Sequence, residues 1–409
     1  ILSTYGTEFY RKATHGEGFI RGFFNVIKSA TTGTGAALER LFITGVSPVT
    51  MDDVTSGFNI GTNITNDSWF NDLVGFSENE LREMLEYYKE QGVLQESIDE
   101  IVAMMKPNYD NYCFSEDTLE QCMFNSDMAL YFLKSFVLHH KKPKEIVDPN
   151  IRTDFNKLAY LIKLDHGLGE NFSVIKEIAE QGEIITDIVT HFSALEMTDP
   201  SNFKSLLFYF GLLSIKGVDM VGRPILHVPN LVVREQLFNF LIQGYIKHDI
   251  FKIDMNKMSA LFENMAFRGD WKPLFDFIAN AVREQSRIRE YIEGEAHIKG
   301  FLLAYLGMYR YYQLYPEYEL NKGFADFFFK PSPSVPVLPP FTYLLEVKYA
   351  KAGASEKEIR ALADEAREQL LRYSEDELVA EARAKGELKL ITIVWRSWEL
   401  ALLEEVTLS

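Results

Sequence analysis

The chain contains only two cysteines, Cys113 and Cys122, with no Cys-x-x-Cys pair and no histidine at zinc-ligand spacing. That excludes a disulfide framework and a structural zinc module, and leaves two buried thiols in a reducing compartment as the expectation. No apolar run is long enough to span a bilayer, so no membrane partner is expected. Positive charge is in deficit: 42 Lys and Arg stand against 59 Asp and Glu, a net charge of −17. Such a balance disfavours broad electrostatic adhesion to polyanions and still leaves room for a local basic groove. Internal repeats and low-complexity tracts are absent. The opening Ile1-Leu2-Ser3-Thr4-Tyr5 has neither an initiator Met nor the basic and apolar regions of a signal peptide. The expectation is therefore a cytoplasmic chain that is part of a longer one.

What is present is the composition of a globular protein, with 47% hydrophobic and 25% charged residues over 409 positions, enough for two or three domains. A helical segment, Phe19 to Ser29, precedes a β-like run, Leu41-Phe42-Ile43-Thr44-Gly45, and loop signals through Asn63. Ser77-Glu78-Asn79-Glu80 is a capping box, and Leu81, Met84, Leu85 and Tyr88 form an apolar stripe behind it. Helices continue through much of 116–285, interrupted at 206–232 by a β-like pair and Pro229 that suggest a small lid or winged-helix insert. Helical residues 291–312 then lead to β-rich runs at 323–330 and 342–349, separated by the loop Pro331-Ser332-Pro333-Ser334-Val335-Pro336. A second capping box, Ser355-Glu356-Lys357-Glu358, opens another helix, and strands at 388–395 and near 400–406 close the chain. Helix, strands, helix, strand is the order of an α/β sandwich.

In Phe324-Ala325-Asp326-Phe327-Phe328-Phe329, the period of two puts Asp326 on one face as the only charge in an aromatic strand. The same period places Glu346 and Lys348 together in Leu344-Leu345-Glu346-Val347-Lys348. If the two strands pair antiparallel, Asp326 can lie beside Glu346. Two buried carboxylates are costly without a counter-charge, which Mg²⁺ or Mn²⁺ can supply. Two carboxylates holding a hard cation beside a lysine that orients or deprotonates water form the set needed for metal-assisted hydrolysis of a phosphodiester. Such chemistry itself gathers carboxylates, so overall acidity weighs little against it. Along the helix after Ser355, Leu362, Ala366, Gln369 and Tyr373 share a face, with Gln369 and Tyr373 neighbours at i and i+4. Taken alone, Asp and the common Glu-x-Lys favour a structural ion pair that only finishes a sheet.

Together, Asp326, Glu346-Val347-Lys348 and Gln369-Leu370-Leu371-Arg372-Tyr373 resemble the PD-(D/E)XK nuclease superfamily, in the branch carrying a Gln-x-x-x-Tyr motif. The resemblance implies a restriction-endonuclease-like α/β sandwich, a Mg²⁺ or Mn²⁺ cofactor on Asp326 and Glu346, and a nucleic-acid partner, DNA in the first place. It also implies a further acidic residue from the helix before the first strand. Glu295 is the candidate, with Glu293 the alternative and Glu317 and Glu319 weaker ones. His297 is expected to pack or hydrogen-bond, and Asn321-Lys322-Gly323 to form a tight turn.

Scattered segments between about residues 40 and 240 resemble the AAA-ATPase-like region that precedes such nuclease domains in many bacterial proteins. They include Phe42 to Val49, Ser56-Gly57-Phe58-Asn59, Leu73 to Ser77, and Asn108 to Phe114, in which Asn111 replaces a family glycine. Phe208 to Leu213 and His227-Val228-Pro229-Asn230 complete the set. No Gly-x-x-x-x-Gly-Lys phosphate loop is present: Gly217 to Gly222 runs into Arg223-Pro224, and Thr32-Gly33-Thr34-Gly35 is only a loop. ATP is therefore not assigned to this chain. His139 to Lys144, the most basic run, is read as a solvated helix end, and Tyr305, Tyr309, Tyr311, Tyr312 and Tyr315 as packing of the C-terminal domain. The domain expectation is an ATPase-like region over 1–200, a lid or winged-helix-like region over 201–284, and the nuclease domain over 285–409. Its rivals are a binding module that does not cleave and a regulatory ATPase whose phosphate loop lies outside this chain.

Overall fold

The computed structural model describes residues 2–31, 36–45, 61–143, 146–148, 170–190, 192–193, 196–197, 199–247, 254–284, 294–309, 311–320, 323–332, 335 and 337–407. Outside them lie Val46 to Asn59, Glu293, Asn321, Lys322 and much of the proline-rich loop. The chain divides into two compact units, residues 1–178 with 182–234, and residues 235–409 with 179–181. No helix among the described residues is long and apolar enough to cross a membrane.

The N-terminal part is mainly helical: α1 (Leu2–Thr14), α2 (Phe19–Thr31), α3 (Glu78–Glu90), α4 (Ile98–Tyr109), α5 (Ser126–His139), α6 (Glu170–Gln181) and α7 (Pro200–Tyr209). Ser77 caps α3 in a full capping box, and Leu81 and Leu85 bury into a core with Ile101, Met105, Phe124 and Phe132. Strands β1 (Glu183–Ile185), β2 (Ser214–Val218) and β3 (Pro224–His227) form a small antiparallel sheet in the order β1-β3-β2. The glycine-rich stretch 217–222 is the β2–β3 turn, closed by Asp219, which accepts hydrogen bonds from the Val221 and Arg223 amides. Asn111 stands at φ 73°, a left-handed position that asparagine tolerates better than most residues. Its side chain donates to the Pro229 carbonyl at 3.0 Å, and Asn230 donates to the Asp110 carbonyl at 3.1 Å, so the Asp110–Tyr112 and His227–Asn230 segments are tied together. The β-like reading of Leu41 to Gly45 is corrected: these residues form no strand, and Leu41, Phe42 and Ile43 are exposed. An extended run becomes a strand only when another backbone pairs with it, and none of the described residues does so here. The basic run at 139 ends α5, with His140 at its C-cap near Glu96.

The C-terminal part begins with α8 (Leu231–Lys247), α9 (Met255–Arg268), α10 (Lys272–Glu284) and α11 (Glu295–Leu306). A five-stranded mixed sheet follows, built from β4 (Tyr312–Leu320), β5 (Gly323–Pro331), β6 (Phe341–Ala350), β7 (Glu387–Arg396) and β8 (Glu399–Val406) in that spatial order. Its strands are rich in aromatic and β-branched residues, which suit a pleated surface. All neighbours are antiparallel except β6 and β7, whose parallel pairing requires the crossover supplied by α12 (Glu356–Tyr373) and α13 (Glu377–Lys385).

Helix α12 opens on the Ser355 capping box and buries Ile359, Ala363, Ala366, Leu370 and Tyr373. The buried stripe is thus one step round from the expected face, and Leu362 and Gln369 sit half-buried on its flank. Leu344, Phe328 and Leu390 meet Leu370 and Tyr373 on this side of the sheet. Tyr343, one residue along and so on the other side, donates its hydroxyl to the Met265 carbonyl of α9 at 2.6 Å. The tyrosines after α11 pack likewise, Tyr309 on Phe262, Tyr311 on Phe267 and Tyr312 on Phe329 and Tyr343.

Helices α9 and α10 therefore belong with the sheet, and a boundary near residue 285 leaves them out. Trp271, between the two helices, donates to Glu405 of β8 at 2.9 Å, and a Cβ at Gly269 would meet the Phe341 ring at 2.8 Å. A fragment of residues 235–409 is expected to unfold in one cooperative transition, followed by circular dichroism or calorimetry. A fragment of residues 285–409 is expected to lack such a transition, because Tyr343 and Glu405 lose their partners Met265 and Trp271. Equal melting temperatures for the two would show that α9 and α10 are dispensable.

Candidate active site

The site forms where a β ladder stops. Strands β5 and β6 pair at Phe329↔Tyr343, Phe328↔Leu344 and Phe327↔Leu345, and no further. One step on at the same register, Asp326 lies opposite Glu346. In place of a backbone carbonyl, the Asp326 side chain takes the next amide: Val347 N–H donates to Oδ2 at 2.6 Å. Asp326 and Glu346 are both almost wholly buried, with 4% and 3% of their surface exposed. The structure thus brings together the two carboxylates that antiparallel pairing of the two strands was expected to set side by side.

Lys348, two residues along β6 and on the same face, sets its Nζ 3.4 Å from Glu346 Oε1 and 3.1 Å from Glu365 Oε1 of α12. Burial opposes its charge, yet these carboxylates outweigh burial and push its pKa up. The other oxygen, Glu346 Oε2, is buried and has no hydrogen-bond partner among the described residues. Burial, and then the negative charge of Asp326, push the Glu346 carboxyl above the usual carboxylate range. Burial also raises Asp326, against the pull of Lys299 and of the Val347 amide.

Lys299 is a residue that sequence reasoning missed. It projects from α11 to Asp326 Oδ1, and its Nζ also lies 3.1 Å from Glu295 and 3.0 Å from Glu317. Burial works against its charge, and Asp326 and Glu317 more than restore it, so its pKa is raised. Glu295 stands one helical turn before Lys299 and reaches the site only through it. Glu317 lies opposite Asp326 in the β4–β5 register, at a step the ladder skips, and adopts φ 43°. A left-handed glutamate within a strand carries a local cost that such sites often bear. Glu319 is exposed, and His297 is half-buried.

Tyr373 is buried, and its ring and hydroxyl pack so closely on the β5 start that a Cβ at Gly323 would lie 3.0 Å from Oη. Burial, and then the charge of Glu346, raise its pKa, so the hydroxyl keeps its proton as a donor. Gln369 is half-buried, and its Oε1 is shielded without a hydrogen-bond partner among the described residues. Glu365, Gln369 and Tyr373 form one i, i+4, i+8 row on α12. The same spacing links Glu295 to Lys299, and that periodicity could have found both Lys299 and Glu365.

The residues present fit a hard divalent cation. A buried carboxylate oxygen with no hydrogen-bond partner among the described residues, beside a second buried carboxylate, is a donor set that a divalent cation would satisfy. No group of three or more His, Cys, Asp or Glu converges as a complete protein shell among the described residues. Mg²⁺ needs none, since it keeps several waters and takes substrate oxygens besides one or two carboxylates. Residues 293–405 match the family model described as PD-(D/E)XK nuclease superfamily. No curated protein matches the chain. The matched stretch runs from the start of α11 through most of β8 and contains each of the residues just described, and the C-terminal region is accordingly a PD-(D/E)XK nuclease superfamily domain.

Proposed function

We propose that this domain hydrolyses phosphodiester bonds in nucleic acid, DNA in the first place, with Mg²⁺ or Mn²⁺ held by Asp326 and Glu346. The observation that carries the reading is the buried Glu346 Oε2, without a hydrogen-bond partner among the described residues, beside Asp326, with Lys348 two residues further along the same strand face. When bound, the cation would polarise the scissile phosphate and offset the charge that develops on it. Lys348, held charged by Glu346 and Glu365, acts as a donor that orients the attacking water and stabilises the negative phosphate. Tyr373 donates its hydroxyl into the same space, and Gln369 presents an acceptor on the flank of α12. Glu295 serves by positioning Lys299 and not as a direct ligand. The segments resembling an ATPase-like region are read as a regulatory module that carries no phosphate loop.

Roles divide by charge. Asp326→Asn or Glu346→Ala should abolish metal binding and cleavage together, since the cation loses an anionic ligand. Lys348→Ala keeps both carboxylates, so Mn²⁺ affinity should survive while turnover falls by roughly 10²–10³-fold. The assay is Mg²⁺- or Mn²⁺-dependent nicking of plasmid and of single-stranded DNA and RNA. Unchanged cleavage by the Glu346 variant would refute the assignment. Metal binding without cleavage would favour a binding module.

A second expectation concerns stability without metal. A carboxyl whose folded pKa lies above its ordinary 4.5 holds its proton more tightly when folded. Stability is then full below pH 4.5 and falls as the pH rises toward the folded value. Glu346→Gln should remove that fall and raise Tm in EDTA, more at pH 8 than at pH 5. In domains of this size each kcal/mol is worth about 2–4 °C, and one unit of pKa about 1.4 kcal/mol. A lower Tm for the variant at pH 8 would contradict the reading.

A further inference from the structure

Both oxygens of Asp326 are already engaged, Oδ2 by the Val347 amide and Oδ1 by Lys299. A cation shared between Asp326 and Glu346 would therefore lie next to the Lys299 ammonium. Two cations at contact distance in a buried, weakly screened site repel strongly. The lysine has somewhere to go, because its three donors meet three carboxylates. Glu295 at 3.1 Å and Glu317 at 3.0 Å flank it on the more exposed side. Releasing Asp326 leaves Lys299 with two partners and in better contact with water. We propose that Lys299 is a resident counter-cation of the site: a divalent metal displaces it from Asp326 onto Glu295 and Glu317, and this exchange sets the metal affinity. The inference rests on the metal-dependent reading above.

Two features argue that the arrangement is more than a buried ion pair. A lysine needed only to neutralise Asp326 would not require two further acidic partners, of which Glu317 adopts a left-handed backbone to stand opposite Asp326. Meanwhile Glu346 Oε2, the other half of the cation site, has no hydrogen-bond partner among the described residues. The lysine thus neutralises Asp326, while Glu346, paired through Oε1 with Lys348, keeps Oε2 to receive the metal first.

The test is Mn²⁺ affinity of the full chain, measured by calorimetry and by loss of the free-ion paramagnetic signal, for wild type and variants. Lys299→Met should bind Mn²⁺ more tightly by roughly 10-fold or more, the scale on which neighbouring groups tune metal sites. Lys299→Arg, which keeps the charge, should show no such gain. Glu317→Gln, an exposed change that does not threaten folding, removes one receiving carboxylate and should weaken Mn²⁺ binding. Unchanged or weaker binding by Lys299→Met, or unchanged or tighter binding by Glu317→Gln, overturns the proposal. If wild type binds and cleaves while Lys299→Met binds no more tightly, only this inference fails. If the predicted order of affinities holds without cleavage, the nuclease reading fails and the exchange stands. If neither wild type nor Lys299→Met binds Mn²⁺, both fail.

Discussion

The pairing of β5 with β6 ends where two carboxylates come face to face, and the architecture of the C-terminal domain follows from accommodating them. Two carboxylates within a sheet repel each other and lose their hydration. A continuous ladder at that step would bury both with nothing in return. The observed solution is a backbone amide turned onto Asp326, Lys299 from α11 on its other oxygen, and Lys348 with Glu365 beside Glu346. One oxygen, Glu346 Oε2, has no hydrogen-bond partner among the described residues. A protein selected only for stability would fill such a gap with an apolar pair, and retaining the charges fits a role in holding a cation.

The surrounding sheet supplies rigidity. Trp395, Tyr343, Phe327 and Phe328 are fully buried in its strands, and α12 and α9 cover its two sides through Leu370 and Met265. Side chains held this way fix the positions of the two carboxylates relative to each other. The chain's net charge of −17 says little about such a site, because the charges that matter lie within a few ångströms and are shielded from salt.

Much of this was legible from residue order. The period of two put Asp326 on one strand face and Glu346 with Lys348 on another, and the capping boxes at Ser77 and Ser355 are formed as read. The buried stripe of α12 lies one step round from the expected face, because a flank position serves the Gln369 amide. The strand expected at Leu41 depended on a partner that local pattern does not reveal. Lys299 escaped notice because its meaning depends on long-range register: it is an ordinary helix lysine until β4 and β5 bring Glu317 and Asp326 to it. The extent of the C-terminal unit was hidden for a similar reason. Nothing in Met265 or Trp271 announces that their partners are Tyr343 and Glu405.

A crystal of the full chain soaked in Mn²⁺ tests the central claim most directly, since anomalous scattering locates the ion without reference to activity. The account predicts one strong peak in contact with Glu346 Oε2 and Asp326 Oδ1, with the Lys299 ammonium withdrawn to Glu295 and Glu317. At saturating Mn²⁺, an absence of density between the two carboxylates, with Lys299 still on Asp326, would contradict it.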